Sequence, residues 1–524
     1  MQRRIVLMST LAAVVLSGCV LMPTPAPTGP SFADESLLVI DTAFDIKTID
    51  PGREYEPTGQ IIVKALYDTL LTFADNDATT ILPDLATYTT NAKMTEFTFT
   101  LSDGRVFSDG TPVTADDVVF SLQRLIGLKG NPSFLLNGVT VTKVDDRMVK
   151  LTSKSANPAL PAILATPSAG ILNAEVVQAN GGTTDEKDAA EAYLNTNSAG
   201  SGPYKLQTLE RSTQAVLVRN TAYTGPQKPT YDKVVLRNAD PATQKADLER
   251  GDAQLALDLS GDLIASLASD IEVETTPSAT VLFLLLNADP TVNQYTAKPQ
   301  FVTAVKQAID YNSLLDLAGI GASQATGLVP TGFLGALPLA QAPKFDLNAA
   351  IANVTAADAQ GQTIRLSFPE DARPAGIDLS ALAQRLQQQL QSAGITVELA
   401  PAPLATETEA YRAGTEQAGL WYWHPDYLDP ATFLTFSPGQ PVGLRAKWKA
   451  DADPPIADLV KQAATTSDDT ARKALFEQWG QAMNARSPFV PLIQPGSNIA
   501  HRPSVTNVHY NPVWLINVAG LGAG

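Results

Sequence analysis

The side chains of this sequence that could do chemistry are few and unevenly placed. There is one cysteine, Cys19, and three histidines, His424, His501 and His509. A single thiol excludes an internal disulfide framework, a CxxC redox centre and a cysteine-rich metal cluster. Three scattered histidines are a poor supply for a metalloenzyme. Neither a GxSxG nucleophile elbow nor an HExxH zinc motif is present. The acid pair Asp116-Asp117 stands at an expected helix start, where carboxylates complement the helix dipole without catalysis. Gly200-Ser201-Gly202 lacks the Lys and Ser/Thr of a phosphate loop, so no nucleotide site is implied. No cofactor and no enzymatic turnover are expected. The densest recognition-capable group is Trp421-Tyr422-Trp423-His424, with Asp426 two residues on. Alternate residues of a strand share a face, which puts Trp421 and Trp423 together. Paired indoles can sandwich a peptide side chain or a sugar ring, and they can equally pack one face of a core. His424 reads as a contact residue, as a metal ligand, or as neither.

These residues must be positioned by a chain of 524 residues, of which 44% are hydrophobic and 17% charged. Single cores stop growing at roughly 250–300 residues, so two or more lobes are expected. The formal net charge is -17. A surface of that sign repels phosphate backbones, so no nucleic-acid partner is expected. At the start, Arg3 and Arg4 precede an apolar run from Ile5 to Leu16. That run is too short to cross a hydrocarbon core of roughly 30 Å, and it fits the h-region of a signal peptide. Leu16-Ser17-Gly18-Cys19 follows, and Val20 to Pro30 carries Pro23, Pro25, Pro27 and Pro30. A proline-rich segment extends at about 3.1 Å per residue, so the stretch from Val20 to Glu35 could reach up to roughly 50 Å.

Further along, Leu37–Ile40 is a short apolar run and a first strand. Ile62, Ala65, Leu66 and Leu70 line one side of a helix over 61–71. Phe97, Phe99 and Leu101 alternate with polar residues as a strand. Thr114 caps a helix whose third residue is Asp117, with Val118, Val119, Leu122, Leu125 and Ile126 as its buried stripe. Strands are expected over 215–218 and 233–237, and Val281–Leu286 reads as a strand buried on both faces. Phe301, Val305, Ala308 and Ile309 mark an amphipathic helix. Ile364, Leu366 and Phe368 alternate as a strand. Leu379, Leu382, Leu386 and Leu390 recur at helical spacing, Gly394 ends that helix, and Ile395, Val397 and Leu399 alternate again. Strand, helix and strand in that order require a parallel pair.

Several phrases, in order, resemble the family-5 extracellular solute-binding proteins of ABC transporters, the dipeptide, oligopeptide and nickel group. They are Leu82-Pro83-Asp84-Leu85-Ala86, the run from Phe107 through Ser108-Asp109-Gly110-Thr111 to Ser121, and Gly200-Ser201-Gly202-Pro203-Tyr204. Arg219-Asn220, Asp240-Pro241-Ala242-Thr243, Leu248 to Asp252, Leu286-Asn287 and Ala304 to Asp310 follow. Last comes Asp426-Tyr427-Leu428-Asp429-Pro430, where the family often carries Asp-Tyr-Pro-Asp-Pro. The start of the chain resembles a bacterial lipobox, which implies that Cys19 is lipidated and becomes the mature N-terminus.

The resemblance implies an α/β fold of two lobes joined by hinge strands, with an extra subdomain inserted in the first lobe. The expected division is a signal peptide at 1–18 and a lipidated, proline-rich tether at 19–35. Lobe I takes 36–75, 199–287 and 496–524, the inserted subdomain 76–198, and lobe II 288–495. Ligand would sit between the lobes, enclosed by hinge closure. The ligand it implies is an oligopeptide, with an oligosaccharide or a nickel complex as the alternative and a secreted hydrolase as the more distant one. In peptide-binding relatives the first aspartate of the last phrase pairs with the ligand's α-ammonium, which gives Asp426 that role here. Asp429, before Pro430, reads as structural. Trp421, Trp423, His424 and Tyr204 are the remaining candidate contacts. No residue for a peptide carboxylate is assigned; Arg445 and Lys447 are merely the nearest cations in sequence. A monomer delivering ligand to the membrane subunits of an importer is the expected partnership.

Overall fold

The computed structural model describes residues 36–524. Cys19, the apolar leader and the proline-rich tether lie outside the described residues.

Two large sheets carry the molecule. The first has seven strands in the order Glu272–Pro277, Gly496–His501, Leu255–Ala256, Leu37–Thr42, Lys233–Asn238, Gln214–Arg219 and Tyr204–Glu210. Leu38, Ile40, Leu217, Val234 and Leu236 bury one face against the helix Pro57–Leu66 and the C-terminal segment, which adds Val505, Ile516, Val518 and Leu521 to the same core. The second sheet has six strands, in the order Ser323–Gln324, Phe489–Gln494, Val281–Leu286, Ala418–Trp423, Thr363–Pro369 and Thr396–Ala402.

The second sheet is covered on both sides, and its sequence shows why. Along Val281–Leu286 all six residues are buried. Leu282, Leu284 and Leu286 join a core with Leu379, Leu382, Leu386 and Leu390 of the helix Leu379–Ser392. Val281, Phe283 and Leu285 join another with Phe436, Trp479 and Phe489 on the opposite face. A strand between two helical layers has no polar side to show, hence the unbroken apolar run. Thr363–Pro369 and Thr396–Ala402 pair in parallel across the intervening helix, as the strand–helix–strand pattern predicts.

A third sheet, Ala86–Thr90, Glu96–Leu101, Met148–Ser153 and Val139–Lys143, forms the centre of an inserted unit. Phe97, Phe99 and Leu101 bury its face against Val118, Leu122 and Leu125 of the helix Ala115–Gly127. At that helix start the Asp117 carboxylate accepts from the Thr114 backbone N–H at 2.9 Å and from its hydroxyl at 2.6 Å. Ion pairs fasten the insertion to the first sheet's unit. Arg124 donates to both Asp50 oxygens at 2.7 and 2.6 Å and to Asp188 at 2.8 Å, all deeply buried.

Two boundaries differ from the sequence expectation. The helix expected over 61–71 runs from Pro57 to Leu66 and stops at Tyr67, whose backbone is extended. Leu70 is buried in the core of the insertion, so its helical spacing from Leu66 is coincidental. The strand Val281–Leu286 was expected within a first lobe ending at 287, but it is hydrogen-bonded into the second sheet. The chain passes between sheets just before it, at Ser278–Thr280, and returns beside Pro495. These two crossings lie side by side: the Ser278 N–H donates to the Pro495 carbonyl at 3.0 Å, and the Gln494 side-chain amide donates to the Ser278 carbonyl at 2.7 Å.

Candidate functional site

A cavity of about 930 Å³ lies between the insertion and the second sheet's unit. Phe134, Ser153 and Asn157 wall it on one side, Trp423, Asp426 and Arg445 on the other, and Tyr55 reaches in from the first unit. Beside it the Tyr427–Ala431 loop touches the insertion: Tyr427, Leu428 and Ala431 pack against the insertion's core. A smaller cavity of about 500 Å³, beyond that contact, borders the crossing strands.

Asp426 stands three residues past the Ala418–Trp423 strand, in the loop that leaves its end. Its Oδ1 accepts from the Tyr55 hydroxyl and its Oδ2 from the Thr432 hydroxyl at 3.2 Å. Burial raises its carboxyl to about 6, against the opposing pull of Tyr55, Thr432 and the Arg445 charge. The same contact, with burial, holds the Tyr55 phenol firmly protonated. A carboxylate so placed is a receptor for a cation small enough to enter, because its partly buried oxygens have only two hydroxyls to offset their charge.

Trp421 and Trp423 do share a strand face, opposite Phe283 and Val281. Only Trp423 borders the cavity. Trp421 is a core residue, which corrects its assignment as a ligand contact. Its ring stacks on Tyr411 at 4.3 Å and its indole N–H donates to Glu416 at 2.9 Å. The next pair along the strand is one step closer to the open end, which is why the two indoles part company. His424 borders the cavity but both ring nitrogens are engaged. Nε2 faces the Pro512 carbonyl, which can only accept, so Nε2 carries the proton and Nδ1 accepts from the Thr280 hydroxyl at 3.0 Å. Burial keeps the ring neutral by lowering its pKa. His424 is therefore a strut between the second sheet and the C-terminal segment.

Tyr204 is also corrected. It is buried in the first sheet's core and its hydroxyl donates to the Tyr231 carbonyl at 3.1 Å. The glycines before it serve contact with the end of the helix Pro57–Leu66. A Cβ on Gly200 would stand 2.2 Å from the Leu66 oxygen, and one on Gly202 2.5 Å from the Leu66 carbonyl carbon. The Gly202 N–H donates to that oxygen at 3.0 Å, closing the helix. Asp429 is structural as expected: Arg472 donates to both its oxygens at 2.6 Å, and it accepts from the Ala431 N–H at 2.8 Å.

Tyr55 escaped the sequence reading because it stands in a loop 371 residues before its partner. Arg445 borders the cavity, whereas Lys447 turns away to donate to the Ala413 carbonyl at 2.7 Å. Among the described residues no cluster of three or more His, Cys, Asp or Glu side chains could hold a metal ion. No described helix is long and apolar enough to cross a membrane.

Two units around an open cleft, joined by adjacent crossing strands, define a two-lobe binding protein of the periplasmic type. The model of the family "Bacterial extracellular solute-binding proteins, family 5 Middle" matches residues 80–441, and the chain belongs to that family. It is 27% identical over 525 residues to the probable D,D-dipeptide-binding periplasmic protein DdpA of Escherichia coli (strain K12), covering 98% of each chain. In fold it matches the substrate-binding protein CtaP from Listeria monocytogenes with a TM-score of 0.81 at 19% identity, over 94% of this chain and 99% of that one. It also matches DppA from Helicobacter pylori in complex with the peptide STSA, with a TM-score of 0.76 at 22% identity, over 93% and 98%.

Proposed function

We propose that this protein captures a short peptide between its lobes by the peptide's free ammonium and delivers it to an ABC importer. The observation that carries this reading is Asp426, a partly buried carboxylate facing a cavity open on one side, with only hydroxyl partners fixed to it. An ammonium bound there gains a charge-assisted hydrogen bond. The dipeptide-binding and peptide-bound relatives support the same ligand class. Closure is favoured by ligand because the ligand touches both lobes at once. Trp423 offers an aromatic wall to a side chain, and His424 and Tyr55 align the lobes rather than grip the ligand.

The decisive comparison is calorimetric. A peptide with a free amine binds the wild type, while its N-acetylated form and the Asp426→Ala variant bind weakly; equal affinity in all three cases removes the ammonium role. The peptide is recovered intact after incubation. Turnover abolished by one point substitution would instead mark a hydrolase. We also propose that Cys19 carries the lipid that holds the protein at the outer face of the cell membrane. The basic start, the apolar run and the small residues before the sole cysteine support it. Cys19→Ser then moves the protein from the membrane fraction to the soluble extracytoplasmic fraction; retention in the membrane refutes the anchor.

A further inference from the structure

The cavity is charged against the rest of the molecule. The protein carries a net charge of -17, yet the lining holds one carboxylate, Asp426, beside three cations, Lys154, Arg412 and Arg445. They come from three places: Lys154 just past the Met148–Ser153 strand, Arg412 in the last turn of Leu404–Ala413, and Arg445 at the end of Pro441–Arg445. None of the three forms an ion pair with a described carboxylate, whereas most arginines elsewhere in the structure do.

Arg445 is the best placed of them. Its guanidinium lies 4.6 Å from the Tyr411 ring centroid and 5.7 Å from that of Trp423. Two aromatic rings hold the guanidinium beside the cavity; part of its N–H fork faces the Tyr411 hydroxyl and the rest is left for an oxygen acceptor. The Trp423 indole N–H, on the same wall, is buried without an acceptor among the described residues. A buried donor without a partner is costly, but this nitrogen shows no surface to the cavity, so the indole offers the ligand its ring and not its N–H. Two other acids act on this region from outside the lining: burial raises the Tyr422 phenol, and the charges of Asp371 and Asp45 add to it.

The charge count then bears on the ligand. An ammonium on Asp426 neutralises the one negative charge and leaves three cations. A terminal carboxylate offsets one of them. A peptide with no further anionic group leaves the cavity positive on two sides.

Resting on the peptide reading above, we infer that the site selects peptides of net negative charge, which carry a free ammonium together with two or more carboxylates. Arg445, held beside the Tyr411 and Trp423 rings, takes one carboxylate. Lys154 and Arg412, both exposed, favour anionic ligands through a screened field.

Titration calorimetry at low salt with Ala-Glu-Ala, Ala-Gln-Ala and Ala-Lys-Ala tests this. The wild type binds the glutamate peptide roughly tenfold tighter than the glutamine isostere and binds the lysine peptide most weakly. Arg445→Gln brings the first two together while retaining the glutamine peptide. The double variant Lys154→Gln, Arg412→Gln, altered only at exposed positions, narrows the preference and flattens its salt dependence. If the wild type prefers glutamate by less than roughly fivefold, or prefers glutamine or lysine, the inference is overturned and the peptide reading stands. If none of the three peptides binds, the peptide reading falls and takes this inference with it.

Discussion

Replacing Asp426 with asparagine keeps the shape of the side chain and removes its charge; one hydroxyl partner keeps its acceptor oxygen, and the other turns to accept from the amide NH2. The ammonium then loses a charge-assisted bond in a place with little water. Removing one member of a buried, hydrogen-bonded charge pair costs about 2–5 kcal/mol, or roughly thirtyfold to several thousandfold in Kd. The wild type carries a second signature. Burial holds the empty site's carboxyl at about 6, and an ammonium binds only its ionised form. Affinity is therefore full above that value and is lost as pH falls through it. At pH 5 the carboxylate fraction cuts affinity about tenfold, close to 1.4 kcal/mol, while at pH 7 the loss is about a tenth. The peptide amine stays protonated throughout this range.

Stability runs the other way. A carboxyl whose folded pKa is raised from 3.8 to about 6 stabilises the empty fold below pH 3.8 and loses that contribution as pH rises to 6. At pH 7 the asparagine variant is then more stable by up to about 3 kcal/mol. Calorimetric titrations at pH 5, 6 and 7, with Tm of the unliganded proteins, read both effects. Wild-type affinity that is flat from pH 5 to 7, or a variant that binds the free-amine peptide as tightly as the wild type, refutes the reasoning. A variant with lower Tm and lower affinity has merely lost its fold.

Other perturbations probe the scaffold. Burial, with Glu407 beside it, raises the Glu416 carboxyl to about 9. Its stabilising effect is complete below its unfolded value near 4.5 and is lost as pH rises to 9, so Glu416→Gln flattens Tm between pH 5 and 9; an unchanged slope excludes this pair as its cause. Asp429→Ala leaves the Arg472 guanidinium buried without its partner and costs about 3–5 kcal/mol, measured by denaturant unfolding. Gly202→Ala drives a Cβ into the Leu66 backbone, which cannot swing aside, and lowers stability by about 1–3 kcal/mol. Wild-type stability in that variant would show that the loop can move away from the helix end.

Much of the architecture could be read because its signals are local. The alternation at Phe97, Phe99 and Leu101 and the capping pair Thr114–Asp117 each appear in the structure as written. So does the leucine spacing from Leu379 to Leu390, since burial on one side dictates period and a cap dictates an end. Limits failed where a residue serves a different core from its neighbours. Leu70 continues a helical spacing yet belongs to the insertion, and Val281–Leu286 changes sheets because the crossing lies in the short stretch before it. At the site, Asp426 stood out through its phrase and Trp423 through its strand. Trp421 differs from Trp423 only in depth, which alternation does not encode. Tyr204 follows a glycine motif whose purpose is close backbone contact with Leu66. Tyr55 and Arg445 carry no periodic mark at all: Arg445 meets Trp423 through the folding of its own unit, and Tyr55 meets Asp426 only across the two units.

The placement of the Gly496–His501 strand has a consequence for biosynthesis. It lies inside the first sheet, between Glu272–Pro277 and Leu255–Ala256, and the segment after it supplies Ile516, Val518 and Leu521 to that sheet's core. The strands Leu37–Thr42, Lys233–Asn238, Gln214–Arg219 and Tyr204–Glu210 can pair among themselves, but Glu272–Pro277 joins the sheet only through Gly496–His501, which is made much later. Such long-range pairings form slowly. Until that strand is in place the sheet ends one partner short, and the core beneath it lacks Ile516, Val518 and Leu521.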